Sequence, residues 1–324
     1  MAYDRAKHPS VLIVADDGAL YEERLRQRFP ALTLASANSL DEVKARLEAL
    51  RPEVVFSVKQ PSTPLQSHRL AIDYPSVRWF HVGGSGYEHV TPWDGARLAV
   101  SNSAGVLARY LAETVTAAIL LLNGNFLRYV RQQDDRIWQP LAFRPLAGQT
   151  LLVVGVGHIG GHVASNAKAL GMQVIGVRRT AEPHPGVDRM LTIEELHGAL
   201  GEADFVSLHL RLTEQTRHLI DRTALVAMKP GAHLINTARG PIVDEAALIE
   251  ALQDRRLAGA YLDVFETEPL PADSPLWSLE TVMITPHAAD TVSTWQALFA
   301  DFFADNLERW LAGLPLRNLV QPPV

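Results

Sequence analysis

The apolar positions of this chain fall into short solid blocks, separated by longer stretches in which they recur every three or four residues. Residues 11–15, 54–58, 77–82 and 98–101 are blocks and 32–34 is a shorter one, while 21–29, 40–50 and 64–73 carry helical spacing. A block with no polar alternation is a strand covered on both faces. Such strands alternating with helices predict a parallel sheet wrapped by helices on both sides. The pattern restarts with blocks at 151–154, 174–177, 205–208, 233–236, 259–262 and 282–284, and helical spacing at 193–200, 221–227 and 245–254. The fold class expected is therefore α/β, with two doubly wound parallel-sheet domains.

Between the two series, residues 107–131 read as one long helix with Leu111, Val115, Ala118, Leu122 and Phe126 along one face. A helix this apolar is expected to be buried, in a core or between subunits. Residues 131–138 then read as a polar loop and connector. A last helix at 294–313 follows the second sheet and is expected to return to the first domain.

Composition adds exclusions. With 324 residues, 47% hydrophobic and 20% charged, the chain is long enough for two ordinary cores. Its net charge of -6 comes without a basic run, so neither nucleic acid nor a membrane surface is expected as a partner. The longest greasy stretch, 117–122, is too short to span a bilayer, and the first ten residues lack the apolar core of a signal peptide. A cytoplasmic protein is expected. There is no cysteine, which excludes disulfides, thiolate metal sites and a cysteine nucleophile.

Candidate chemistry begins at Gly155-Val156-Gly157-His158-Ile159-Gly160, which joins the block at 151–154 to a helix carrying Val163, Ala164, Ala167 and Leu170. A glycine turn between a buried strand and a helix N-terminus lets backbone amides approach a pyrophosphate, whose charge the helix dipole also favours. After the next strand an NAD site would carry an acid for the ribose 2′-hydroxyl. This chain has Arg178-Arg179-Thr180 instead, which suits a 2′-phosphate, so NADP (NADPH) is expected in preference to NAD. His158 and His162 have the spacing of a helical metal pair, but His158 belongs to the phosphate turn and no metal is expected. Three further segments stand at or beyond strand ends: Asn236 to Gly240, Asp263 to Pro269, and Thr285 to Ala288. In the first series Gly83-Gly84-Ser85-Gly86 follows a strand in the same way and could hold a small anion.

The motifs GVGHIG, NTARG, LDVFETEP and TPH, in this order and spacing, resemble the D-isomer-specific 2-hydroxyacid dehydrogenases, with the character of the NADP-dependent glyoxylate/hydroxypyruvate reductases. The likeness covers nearly the whole chain. It implies a Rossmann dinucleotide-binding domain, 103–290, inserted into a flavodoxin-like substrate-binding domain made of 1–102 and 291–324. It also implies that Arg239 grips the substrate carboxylate, that Glu268 keeps His287 protonated, and that His287 gives its proton to the substrate oxygen. Gly84, Ser85 and Gly86 match the family's carboxylate-binding loop. Asp263 matches an aspartate beside the nicotinamide, and Thr216, Thr237, Ala238 and Ala288 join the expected cofactor contacts. Arg211 replaces a usual proline near the cofactor groove. The long helix resembles one that pairs two subunits, so a homodimer is expected.

The expected reaction is NADPH-dependent reduction of a small 2-oxoacid, glyoxylate or hydroxypyruvate, to the D-2-hydroxyacid. Two other readings stay open: an NAD-dependent dehydrogenase, working oxidatively or on an unusual acid such as phosphite, and a dinucleotide-sensing regulatory protein. Tyr87, Trp138 and Trp295 are candidate pocket liners.

Overall fold

The structure is a computed structural model that describes residues 9–60 and 63–322; most of the N-terminal segment weighed above as a signal peptide lies outside that range. Contacts divide the chain into one unit of Met1–Leu107 with Val292–Val324 and another of Ala108–Thr291. Strands β1 (Ser10–Val14), β2 (Thr33–Ala37), β3 (Val54–Ser57), β4 (Trp79–Val82) and β5 (Ala99–Asn102) open the first unit. The second holds β6 (Thr150–Val154), β7 (Gln173–Val177), β8 (Arg189–Leu191), β9 (Phe205–Leu208), β10 (His233–Asn236), β11 (Gly259–Leu262) and β12 (Val282–Ile284). Strand β13 (Leu319–Val320) belongs to the first unit again.

The first sheet runs β2-β1-β3-β4-β5-β13, parallel except for β13, which is antiparallel to β5. Its first five strands have the flavodoxin-like order. The second sheet runs β8-β7-β6-β9-β10-β11-β12 and is parallel throughout, the Rossmann order with one added strand. Its order reverses at β6, so the end of β6 is where a ligand crevice opens. Edge strands β8 and β13, of three and two residues, were not expected; runs that short leave no readable block.

The two cores differ in composition. In the first, the helix Trp295–Leu311 lays Phe303 and Trp310 against Trp79, with Phe56 stacked on Phe303 at 4.6 Å. Arg24–Asp301 and Arg28–Glu308 ion pairs tie this helix to Gly18–Arg28. The core between the second sheet and its helices is mainly aliphatic, built on residues such as Leu152, Val154, Val206, Leu208, Leu234 and Leu262, with Phe205, Tyr261 and Phe265 among them.

The expected single helix over 107–131 is instead two helices, Ala108–Asn123 and Phe126–Asp134, bent by 63°. Asn125 takes a left-handed φ of 57°, held by its side-chain amide donating to the Ala142 carbonyl at 3.1 Å. Gly124 lies at the bend, where a Cβ would fall 2.6 Å from the exposed Phe126 ring and 3.1 Å from the Leu120 carbonyl oxygen. Only the first helix is buried; the second contributes no buried residue and runs on through Asp134, so 131–138 starts as helix rather than connector. Among the described residues no single helix is long and apolar enough to cross a membrane.

Candidate active site

The glycines of the turn after β6 stand in three different settings. Gly155 has a φ of +102°, and a Cβ on it would fall 2.6 Å from the His209 carbonyl oxygen. Gly160 packs its helix onto the turn, where a Cβ would fall 2.2 Å from the Gly155 carbonyl oxygen. Gly157 has nothing within 4 Å of its missing Cβ, so that side of the turn is open. Within the helix His158–Ala169 the first amide to meet a carbonyl is Gly161, which donates to Gly157. The amides of His158, Ile159 and Gly160 meet no acceptor among the described residues, as the first N–H groups of a helix do, and such groups can take an anion.

Arg178 follows β7 directly, and the end of β7 touches the turn: the Gly155 amide donates to the Val177 carbonyl at 2.8 Å. Its guanidinium donates to the Thr180 carbonyl at 3.0 Å and to Glu182 Oε2 at 2.7 Å. Arg179 and Thr180 are exposed. An acid therefore does stand beside the arginines. It is Glu182, four residues on, farther from β7 than the position at which a ribose-binding acid is expected.

The segments after β10, β11 and β12 are sewn together. The Asp263 amide donates to the Asn236 carbonyl at 3.0 Å, and the His287 amide donates to the Asp263 carbonyl at 2.9 Å. Gly240 lies directly on Phe265, where a Cβ would sit 1.9 Å from its backbone carbonyl. Asn236 shapes the turn that carries Arg239, accepting from the Ala238 amide at 3.0 Å and donating to the Arg239 carbonyl at 3.1 Å. This role of Asn236 was not anticipated, although an asparagine before a turn is the signal for it. Arg239 itself is exposed and donates to the Ala238 carbonyl at 2.7 Å.

Asp263 is buried and its carboxylate is spent on the next loop. Oδ1 accepts from Thr285 Oγ1 at 2.5 Å and from the Ala288 amide at 2.7 Å, and Oδ2 from the Ala289 amide at 3.1 Å. These bonds hold the loop in which His287 takes a left-handed φ of 51°. Glu268 receives the Phe265 amide on Oε1 at 3.0 Å and faces His287 Nδ1 with Oε2 at 2.8 Å. Of the other expected cofactor contacts, Thr216 braces its own loop by donating to the Arg211 carbonyl at 2.7 Å. Thr237 is buried and its hydroxyl has no partner among the described residues.

In the first unit, Gly84 has a φ of +153° and open space where a Cβ would be. Asn102 Nδ2 donates to the Ser85 carbonyl at 2.8 Å and fixes the loop. Among the described residues no acceptor meets the Ser85 or Gly86 amide. Tyr87 packs edge-on against Trp93, Trp295 edge-on against Phe299, and Trp138 is fully exposed in the second unit.

Hydride chemistry needs a seat for a dinucleotide and a proton donor along one sheet edge. The second unit offers such a seat, with His287 facing Glu268 along the same sheet edge, the make-up of the nicotinamide-dependent oxidoreductases. The sequence model of the D-isomer specific 2-hydroxyacid dehydrogenase NAD binding domain matches residues 116–289. The chain belongs to that family, and it is an NAD(P)-dependent oxidoreductase acting on 2-hydroxyacids. It is 38% identical over 262 residues to a glyoxylate reductase of Korarchaeum cryptofilum, covering 77% of this chain and 78% of that one. It is 31% identical to glyoxylate/hydroxypyruvate reductase B of Yersinia pestis, covering 98% of each. An NADPH-dependent glyoxylate/hydroxypyruvate reductase from Sinorhizobium meliloti, solved with NADP and sulfate, superposes with a TM-score of 0.79 at 26% identity, covering 97% of this chain and 98% of that one.

Proposed function

We propose that the protein reduces a small 2-oxoacid, glyoxylate or hydroxypyruvate, to the D-2-hydroxyacid with NADPH. The observation that carries this reading is the 2.8 Å contact between Glu268 Oε2 and His287 Nδ1, at the strand ends shared with the Arg239 loop. The reduced nicotinamide, when bound, supplies the hydride to the carbonyl carbon. Glu268 orients the ring and stabilises the imidazolium, leaving Nε2 to give its proton to the carbonyl oxygen. Arg239, on exchanging its bond to Ala238 for substrate, grips the carboxylate and polarises the neighbouring carbonyl. In the oxidative direction His287 is the base. The unclaimed Ser85 and Gly86 amides, with Gly84 giving the loop its shape, are read as a carboxylate-binding loop of the first unit.

The unclaimed amides of His158, Ile159 and Gly160 take the pyrophosphate, and Arg178, Arg179 and Thr180 take the 2′-phosphate. For this Arg178 must leave Glu182, an exposed pair worth only about 0–1 kcal/mol. The same Glu182 favours a second reading, use of NADH, because a carboxylate there can accept a ribose 2′-hydroxyl. Arg178→Asp is expected to weaken NADPH roughly ten- to hundredfold relative to NADH, the range for a hydrogen-bonded charge. An unchanged cofactor preference would refute the phosphate role.

The direct test is loss of NADPH absorbance with glyoxylate, hydroxypyruvate, pyruvate and phenylpyruvate, with NADH in parallel. Turnover on none of them would sink the proposal. The proposal includes a homodimer joined through the second unit, where Phe126, Val130, Trp138 and Phe143 are all more than half exposed. Light scattering should then give twice the 35.6 kDa chain mass.

A further inference from the structure

Glu268 is carried on residues 263–269, a stretch with no helix or strand of its own, so its place depends on single contacts. Two residues before it, Glu266 is held by both its backbone and its side chain. Its amide donates to Glu245 Oε2 at 3.0 Å, and the Glu245 amide donates back to Glu266 Oε1 over a longer 3.4 Å. The same oxygen lies 2.8 Å from His218 Nε2. His218 is fixed in turn: its backbone takes a left-handed φ of 49°, and its amide donates at 2.8 Å to the carbonyl of Pro241, two residues beyond Arg239. Gly240 packs on Phe265 and Glu266, so the stretch is also pressed against the Arg239 turn.

Stability alone is a poor account of this clasp. Burial, and after it the charge of Glu266, hold the Glu245 carboxyl above the usual carboxylate range, against the bond it receives from the Glu266 amide. The helix Glu245–Gln253 already has its cap in Asp244, which accepts from the Ala247 amide at 3.0 Å. Two neighbouring carboxylates, one of them half-buried, repel each other; what their exchanged bonds supply is position. We propose that Glu266, clasped by Glu245 and His218, is a positioning residue that sets the path of 263–269 so that Glu268 reaches His287. The bond from the Phe265 amide to Glu268 Oε1 lies within that stretch and moves with it, so it cannot place Glu268 by itself. Glu268 Oε2 meets His287 Nδ1 at 2.8 Å, and a shift of about an ångström would break the contact.

The inference rests on reading Glu268 and His287 as the catalytic pair, and the test separates the two. In the full chain with isotope-labelled histidine, the His287 ring signal is assigned by its loss in His287→Asn and followed against pH by NMR. A carboxylate at Nδ1 favours the charged ring, so Glu266→Ala and Glu245→Ala should each move that titration to lower pH, by roughly half a unit or more. Glu266→Gln keeps an oxygen for His218 and the Glu245 amide and should stay near wild type. In turnover with NADPH and glyoxylate, each alanine variant should lose roughly 10- to 100-fold in kcat, the effect of a misplacement of about an ångström, with KM for NADPH within about twofold. The two losses should not add in the double variant, because each opens the same clasp. A merely structural clasp would lower the urea midpoint while leaving the His287 titration and the turnover per folded molecule as they are, and that result overturns the inference alone. Additive losses would overturn it too. Full turnover in His287→Asn would overturn the catalytic pair as well. The NMR arm needs neither cofactor nor turnover, so inactivity with every 2-oxoacid would sink the proposed reaction and leave the titration to decide the clasp.

Discussion

Two histidines, one inside a strand of the first unit and one beyond a strand end of the second, show how the same side chain is put to opposite uses. His81 lies within β4, fully buried, with Nδ1 2.7 Å from Ser101 Oγ and Nε2 3.0 Å from Ser103 Oγ. Both nitrogens are satisfied by neutral hydroxyls, and burial pushes the imidazole down to about 3. His287 lies beyond β12, about half exposed, with one nitrogen against a carboxylate. A histidine with neutral partners on both sides and no water is structure. One with a carboxylate on one side and an open nitrogen on the other can move a proton.

The strongest way to break this contrast is at His287. His287→Asn should lower turnover by roughly 10²- to 10⁴-fold, the range for losing a general acid, while leaving the unfolding midpoint within experimental scatter. A variant retaining most of its turnover would remove the histidine from the chemistry. His81→Leu should behave in the opposite manner. It leaves the Ser103 hydroxyl without its buried partner, at a cost of about 1–3 kcal/mol in urea unfolding, while turnover per folded molecule stays the same. Loss of activity without loss of stability would show that His81 reaches the site after all.

Acid sharpens the comparison by a smaller amount. For a buried histidine whose folded pKa is depressed from 6.5 to about 3, the unfolded chain takes up a proton below pH 6.5 and the folded chain does not. Stability is thus complete above pH 6.5 and falls as the pH drops towards 3, by about 1.4 kcal/mol per pH unit per residue. His209, depressed to about 3, adds to the same slope, and His68, depressed to about 4, adds to it down to that pH. Urea midpoints at pH 7 and pH 5 should show the fall, and His81→Leu should show a shallower one. Equal slopes for the two proteins would contradict the assignment of a buried neutral His81.

Much of this was legible in the chain itself. Solid apolar blocks marked most of the strands, because a strand covered on both faces has no polar position to lose. The glycine turn and the motifs with Arg239, Glu268 and His287 were visible because each is a contiguous run at a strand end. The bend at Gly124 and Asn125 was missed because the apolar spacing continues across it, and the cause is a hydrogen bond to Ala142, distant in sequence. The partner of Arg178 was missed because pairing with Glu182 depends on how the loop after β7 folds.

By itself, then, the sequence determined the order of strands and helices, the parallel α/β class and the residue types offered at each strand end, since all of these follow from local spacing and local backbone preference. Tertiary structure alone decided which of those residues meet. Parallel register set Leu208 beside Asn236 at the ends of their strands, and the packing of Gly240 on Phe265 brought the Arg239 turn against the segment leading to Glu268. The carboxylate of Asp263, held in the core, fixed the loop that presents His287 to Glu268. Contacts of this kind join residues tens of positions apart, and their energy exists only once the sheet has closed around them.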